Sequence, residues 1–204
     1  MTAETIVADA GQGETDMAEP TEVELVVLVD QDGTPTGTEP KATVHHRVNE
    51  GGTPLHLAFS CHIVSPDGRL LMTRRALTKV AFPGVWTNAV CGHPGPDEDP
   101  VDAVRRRAQQ ELGLTLSDVR LALPEFRYRA ADAAGMEEHE VCPVYIARTD
   151  EDPSPDPDEA DDWSWVEPEQ LRAAVTSAPF AFSPWLALQV RAGVLDNIPG
   201  QSGV

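Results

Sequence analysis

Two stretches of this chain carry acid without any base, and they limit where a fold can form. Residues 1–24 hold seven carboxylates and few large apolar side chains, while residues 149–162 (TDEDPSPDPDEADD) hold eight carboxylates and three prolines. Like charges repel, and proline lacks the amide that a central strand or a helix interior needs. Residues 1–22 are therefore expected to form a flexible arm and residues 149–162 an exposed loop, with both tracts remote from any site. Together they contain 15 of the 34 Asp+Glu, so a net charge of −19 falls to −4 for the rest, where 19 acids face all 15 Lys+Arg. Residues 23–195 are expected to form one domain, followed by a flexible tail at 196–204.

An excess of this size argues against nucleic acid or an anionic membrane as a partner, because carboxylates repel phosphate. With 41 % hydrophobic residues, 204 residues suffice for a sizeable core. No run approaches the roughly 20 apolar residues of a spanning helix, and the N-terminus lacks the basic start and apolar run of a signal peptide, so a cytoplasmic location is expected. Cys61, Cys91 and Cys142 are an odd number with no Cys-x-x-Cys pair, which fits free thiols.

Within the body, residues 23–29 form a β-branched run that meets a DQDG turn, and 56–64 with 69–73 have the form of a hairpin around Pro66, Asp67 and Gly68. Further strands are expected at 85–91, 125–129, 138–147 and 163–166. The clearest helix starts at Asp99 as N-cap with Pro100 at its first position, places Val101, Val104, Ala108 and Leu112 on one face, and stops at Gly113. Residues 167–175 and 184–191 also read as helices. Strands and helices without a βαβ repeat point to an α+β or mixed-sheet sandwich.

The helix carries the first chemical constellation. Gly92 is followed after five residues by Glu98, after seven more by Arg106, and then by Glu111-x-Gly113-Leu114. This is the frame of the Nudix box, with Arg107 and Gln110 in place of two metal-binding carboxylates. Glu111, with Arg107 one turn earlier, can hold one hard cation and contact a phosphate; alternatively the two simply form a surface ion pair. The second constellation is Cys91-Gly92-His93, whose thiol and imidazole share one side of an extended chain; the alternative is a buried thiol used as filler. In the third, Glu138 and Glu140 share one strand face, where burial is costly unless they meet a cation, or else they face water from an edge. His45 and His56 flank RVNEGGTP and suit a borderline divalent ion in combination with carboxylates, although dispersed histidines are not by themselves a metal signature. Among the bases, alternation along 69–75 turns either Arg74 or Arg75 inward, where a guanidinium needs an anion such as phosphate; the alternative is a solvated basic turn.

HLAFSCHIV, LLMTRRALTKVAFPGVWTNAVCGHP, PEFRYRA, EHEVCPVY and FAFSPW, in this order and spacing, resemble type I isopentenyl-diphosphate Δ-isomerase. The likeness runs from about residue 23 to 194. It implies the Nudix superfold, an α/β/α sandwich with a mixed β-sheet, and it accounts for a degenerate box in an enzyme that isomerises a diphosphate ester without cleaving it. It also implies a metal site of His45, His56, His93, Glu138 and Glu140, holding Mn²⁺, Zn²⁺ or Mg²⁺. Glu111 is implied to bind Mg²⁺ together with the substrate diphosphate, and Lys41, Arg75, Lys79 and Arg107 to contact that diphosphate. Cys91 and Glu140 are the implied catalytic pair, with Tyr128 and Trp185 beside them. Four extra residues lie between His45 and His56 relative to the shortest bacterial members, so His46 competes for the ligand role, although Lys41 four residues earlier favours His45. The implied partner is a small allylic or homoallylic diphosphate, acted on by a monomer or homodimer.

The implied reaction converts isopentenyl diphosphate to dimethylallyl diphosphate through a tertiary carbocation. A metal-held carboxyl hydrogen-bonded to Tyr128 delivers a proton, the Cys91 thiolate collects another, and the Trp185 π face steadies the cation. The loop before His56 and the FAFSPW segment are expected as lids that exclude water. The competing classes are a Nudix hydrolase, which would release phosphate, and a catalytically silent binding module, which would need neither Cys91 nor Glu140.

Overall fold

The computed structural model describes residues 23–198, so the expected arm at 1–22 and the end of the expected tail lie outside the described residues. Twelve strands form two sheets. The first contains β1 (Leu25–Val29), β2 (Pro35–Pro40), β3 (His56–Leu57), β9 (Arg127–Ala131) and β10 (Glu137–Val141), in the order β2-β1-β3-β10-β9. The second contains β4 (Phe59–Val64), β5 (Leu70–Arg75), β8 (Ser117–Leu123), β11 (Val144–Arg148) and β12 (Ala160–Val166), in the order β12-β5-β4-β11-β8. Two short strands complete it, β6 (Trp86–Asn88) on β5 and β7 (Val90–Gly92) on β4. Three helices follow the expected spans: α1 (Pro100–Leu112), α2 (Pro168–Ser177) and α3 (Pro184–Arg191).

Alternation along the second sheet explains its layers. Phe59, Cys61 and Ile63 with Tyr145 and Ala147 form one core with Ala103, Val104, Ala108 and Leu112 of α1. Their neighbours Val64, Val144 and Ile146 turn the other way, to Leu171 and Val175 of α2 and Leu186 and Val190 of α3. Because successive side chains on a strand point to opposite faces, one apolar run serves both layers. The result is an α/β/α sandwich around a mixed sheet, in which β4 and β11 are parallel and the other pairs antiparallel.

Three expected strands divide in two, and the divisions create the site. Residues 138–147 break at Cys142-Pro143, where proline has no amide to donate, so β10 lies in the first sheet and β11 in the second. Residues 56–64 break at Ala58 in the same way. The two segments cross side by side, pairing in parallel as β3 with β10 and then as β4 with β11. Residues 85–91 break at Ala89. The expected hairpin pairs only at Val64 and Leu70, after which β4 and β5 separate and take up β7 and β6.

The edge strands β2 and β8 had no strong sequence signal, since each exposes most of its residues. The acidic tract is also less of a loop than expected, because β12 begins at Ala160 within it. Val194, Leu195 and Ile198 are buried, so the packed body runs past the expected boundary at residue 195. Among the described residues no helix is long and apolar enough to cross a membrane.

Helix α1 is fixed at both ends. The Asp99 carboxylate accepts from the Val101 amide at 2.8 Å, and Gly113 closes the helix at φ 67°. At the adjacent strand, a Cβ on Gly92 would lie 2.9 Å from Arg107 Cγ and 3.0 Å from Phe59 Cζ, so only glycine lets the helix approach β7 this closely. Replacing Asp99 by Ala is expected to cost about 1 kcal/mol, read in calorimetry as a fall of roughly 2–4 °C in the unfolding midpoint for a domain of this size.

Candidate active site

Strand β10 is central in the first sheet, so its glutamates do not face water from an edge. Glu138 and Glu140 are 6 % and 5 % exposed. In register, Glu140 stands between His56 on β3 and Tyr128 on β9. His56 Nε2 lies 3.7 Å and His93 Nε2 3.4 Å from Glu140 Oε1, and the two imidazole nitrogens are 3.2 Å apart. His45 joins them, with ring centroids 5.4 Å from His56 and 5.8 Å from His93. His46 instead turns toward Glu39 at 3.7 Å, which leaves His45 as the histidine of the cluster.

This donor set fits a divalent cation. One atom from each of His45, His56, His93 and Glu140 lies within 4.8 Å of the others. His45 Nε2 and His93 Nδ1 are buried with no hydrogen-bond partner. His56 Nδ1 lies 2.9 Å from the Pro54 carbonyl, which fixes that proton and leaves the Nε2 lone pair facing the cluster. Two Nε2 lone pairs at this range repel unless a proton or metal ion intervenes. Burial, reinforced by His93 and His56, holds His45 down to about 3, so it stays neutral and able to ligate. Burial works to raise Glu140, but the neighbouring His56 and His93 imidazoles hold it well below the usual carboxylate range.

Glu138, expected as a fifth ligand, stands outside this four-atom group. It accepts the Tyr128 hydroxyl at 2.5 Å, a bond expected for the catalytic carboxyl Glu140. Side chains lean along a strand, so Tyr128 reaches the carboxylate two residues from its register partner. Burial, with repulsion from Glu140, pushes Glu138 up to about 7.

A cavity of about 790 Å³ opens over these groups and is lined by twelve of the thirteen expected site residues; His56 lies behind it. At its inner end sits Cys91, between Ser60 Oγ at 3.4 Å and the Asn88 amide nitrogen at 3.3 Å. Burial pushes its thiol up to about 12, which favours the thiol form. Trp185 is 1 % exposed, packs edge-on against Phe82 and stands 5.7 Å from Tyr128. Arg75 Cζ lies 5.4 Å above the Trp185 ring, a face that attracts positive charge.

The outer end holds the bases. Arg75 is the inward member of its pair, donating to the Ala81 carbonyl at 2.9 Å, while Arg74 points to Asp161 at 3.8 Å. Lys41 donates to both oxygens of Glu24 at 3.0 Å, and Lys79 donates to Glu159 at 2.6 Å. Arg107 meets Glu111 at 2.5 Å and Glu159 at 3.1 Å. The Arg107–Glu111 pair thus exists, but it is buried and faces the cavity rather than water. Burial raises the Glu111 carboxyl despite Arg107.

Glu24 and Glu159 correct the expectation that both acidic tracts are remote from the site. Each tract sends one glutamate into the cavity. Nothing in their composition separated them from solvated neighbours, although both adjoin strands that were expected. Besides His46, two further histidines lie away from the cluster: His62 pairs with Gln189 at 2.8 Å, and His139 Nδ1 lies 3.2 Å from the Thr53 carbonyl.

The NUDIX domain family matches residues 54–186, which places the chain in that class. Crystal structures share the fold: a Deinococcus radiodurans protein superposes with TM-score 0.63 at 23 % identity over 83 % of this chain and 98 % of its own. A MutT protein of Methanosarcina mazei gives 0.54 at 18 % identity over 70 % and 94 %. Three curated relatives bear the name isopentenyl-diphosphate Delta-isomerase. That of Agromyces mediolanus is 61 % identical, covering 82 % of this chain and 80 % of its own. Those of Clavibacter sepedonicus and Kocuria rhizophila are 58 % and 54 % identical, covering 84 % and 90 % of this chain and 88 % and 100 % of their own. The chain belongs to the isopentenyl-diphosphate Delta-isomerase family.

A cation at the histidine cluster binds the folded state alone, so at about 100 times its Kd it is expected to add roughly 2.7 kcal/mol of stability. Calorimetry of protein stripped with chelator should then show an upward shift of about 5–10 °C when Mn²⁺ or Zn²⁺ is restored. His45→Ala should lose most of that shift.

Proposed function

We propose that this protein interconverts isopentenyl diphosphate and dimethylallyl diphosphate by moving a C=C bond across three carbons. The observation that carries the reading is one cavity lined by a thiol, buried carboxylates, Tyr128 and Trp185, and four bases. An apolar five-carbon chain suits the aromatic wall, and a diphosphate suits the bases.

Lys41, Arg75, Lys79 and Arg107 hold the diphosphate, competing with Glu24 and Glu159 for the same ammonium and guanidinium groups. The hydrocarbon then lies between Cys91 and Glu140. An unactivated alkene is a very weak base, so delivery and removal of protons must be closely coupled. Burial favours the thiol form of Cys91, and the neighbouring imidazoles favour the ionised form of Glu140. Because the reaction runs both ways, each group acts as acid in one direction and base in the other, and the proton count belongs to the pair. Tyr128 and Glu138 form a buried hydrogen-bonded unit beside Glu140 that can pass a proton without solvent. Trp185 offers its ring to a tertiary cation, an interaction worth about 2 kcal/mol when desolvated. Water would trap that cation as an alcohol, so the wall of Tyr128 and Trp185, the latter backed by Phe82, also protects the product. His45, His56, His93 and Glu140 would hold a divalent ion, which would supply positive charge beside the carboxylate, and Glu111 would help to hold Mg²⁺ accompanying the diphosphate.

Hydrolysis is the weaker reading. Arg107 and Gln110 stand where the box needs carboxylates, and Arg107 already occupies Glu111.

Incubation with isopentenyl diphosphate and Mg²⁺ in D₂O, followed by NMR, should give dimethylallyl diphosphate carrying deuterium. Release of phosphate would instead indicate a hydrolase. Cys91→Ala and Glu140→Gln should each lower turnover by at least 1,000-fold while leaving the protein folded. Wild-type turnover in either variant removes that residue from the mechanism. Trp185→Leu should lower kcat more than it raises KM, and a change in KM alone would rule out a role for the ring in the reacting state.

A further inference from the structure

Asn88 lies inside the site and has no role in the chemistry above. Its side chain is fully buried at 0 % exposure, and every polar atom on it is engaged. The amide nitrogen donates to the Val90 carbonyl at 2.9 Å and the Cys61 carbonyl at 3.1 Å, and also lies 3.3 Å from Cys91 Sγ. The amide oxygen accepts the Trp185 indole N–H at 3.0 Å and the Thr87 hydroxyl at 3.1 Å. The break at Ala89 makes this possible. It bends the chain between β6 and β7, so that a carboxamide three residues before Cys91 comes to lie beside the sulfur.

We infer that Asn88 is a positioning residue for the isomerisation, a single carboxamide that fixes the Cys91 sulfur and the Trp185 ring in one geometry around the substrate. Carboxamides are rigid and planar, with a donor and an acceptor a fixed distance apart. Its oxygen accepts from the Trp185 indole and lies 3.5 Å from the Cys91 sulfur, while its nitrogen, held by the Val90 and Cys61 carbonyls, lies 3.3 Å from the same sulfur, so sulfur and ring share contacts with one fixed group. The sulfur keeps a partner in both protonation states. As a thiol it can donate to the amide oxygen, 3.5 Å away, and after losing its proton it can share one of the two amide N–H groups that otherwise point at the Val90 and Cys61 carbonyls. Ser60 holds the sulfur from the other side but makes no link to Trp185. A purely structural role would be filled as well by an apolar side chain of similar size. A carboxamide with all its hydrogen bonds assigned is needed only if orientation matters, because leaving any of those partners unpaired inside the protein is costly.

The inference rests on the isomerase reading, and the test separates the two. Asn88→Ala removes both links, and Asn88→Ser restores a short hydroxyl in their place. Both are compared with wild type by isomerase kinetics and by the ¹H–¹⁵N signal of the Trp185 indole, assigned through its loss in Trp185→Leu. The expected result is a fall in kcat of at least 30-fold in Asn88→Ala with KM for isopentenyl diphosphate within threefold. Asn88→Ser should lie between Asn88→Ala and wild type. The Trp185 indole proton should shift upfield and exchange with solvent at least tenfold faster, while those of Trp163 and Trp165 stay in place. The inference is overturned if kcat in a folded variant stays within threefold of wild type, if only KM changes, or if the Trp185 signal does not move. If wild type itself does not isomerise, the functional reading falls, and the indole signal still reports whether Asn88 holds the ring.

Discussion

Everything in this protein is arranged around two carboxylates buried on a central strand. Moving an ionised carboxyl from water into the interior costs several kcal/mol even after relaxation, and Glu138 and Glu140 share one face of β10. Their repulsion is resolved unequally. Glu140 is held ionised by two imidazoles, whereas Glu138 rises to about 7 and takes the Tyr128 hydroxyl. Three histidines from three separate parts of the chain converge on Glu140, and together they form a site suited to a divalent ion. The sheets supply this convergence. Two segments pass side by side from one sheet into the other, and the space between the sheets becomes the cavity.

A second balance operates at the mouth. Lys41, Lys79 and Arg107 are each met by a glutamate, and two of those glutamates, Glu24 and Glu159, come from the acidic tracts. The site thus presents an anion with bases that are oriented and already neutralised. A ligand must bring enough negative charge, or a cation of its own, to displace or bridge these carboxylates. This favours a diphosphate over a weakly charged ligand and gives the acidic tracts a part in recognition.

The sequence was informative where a pattern has one physical meaning. Asp99, Pro100 and Gly113 marked α1, and alternation turned one of Arg74 and Arg75 inward without choosing between them. The spacing of Glu138 and Glu140 placed both on one face. It was uninformative where meaning depends on long-range contacts. Sequence distance did not reveal that His45, His56 and His93 meet, and this came only through resemblance. The strand breaks at Ala58 and Ala89 carry no proline to announce them. Glu24 and Glu159 looked like any other acid in their tracts, since their burial is decided by strands packed elsewhere. The choice between Glu138 and Glu140 as partner of Tyr128 depended on how a side chain leans along its strand, which period-two reasoning does not resolve.

The most direct test of this arrangement is anomalous diffraction from crystals of the protein loaded with Mn²⁺ or Zn²⁺, which locates the ion independently of turnover. The account predicts one strong peak bounded by His45, His56, His93 and Glu140, with Glu138 still bonded to Tyr128. An ion bound elsewhere, or no ion with the imidazoles unmoved, would contradict it.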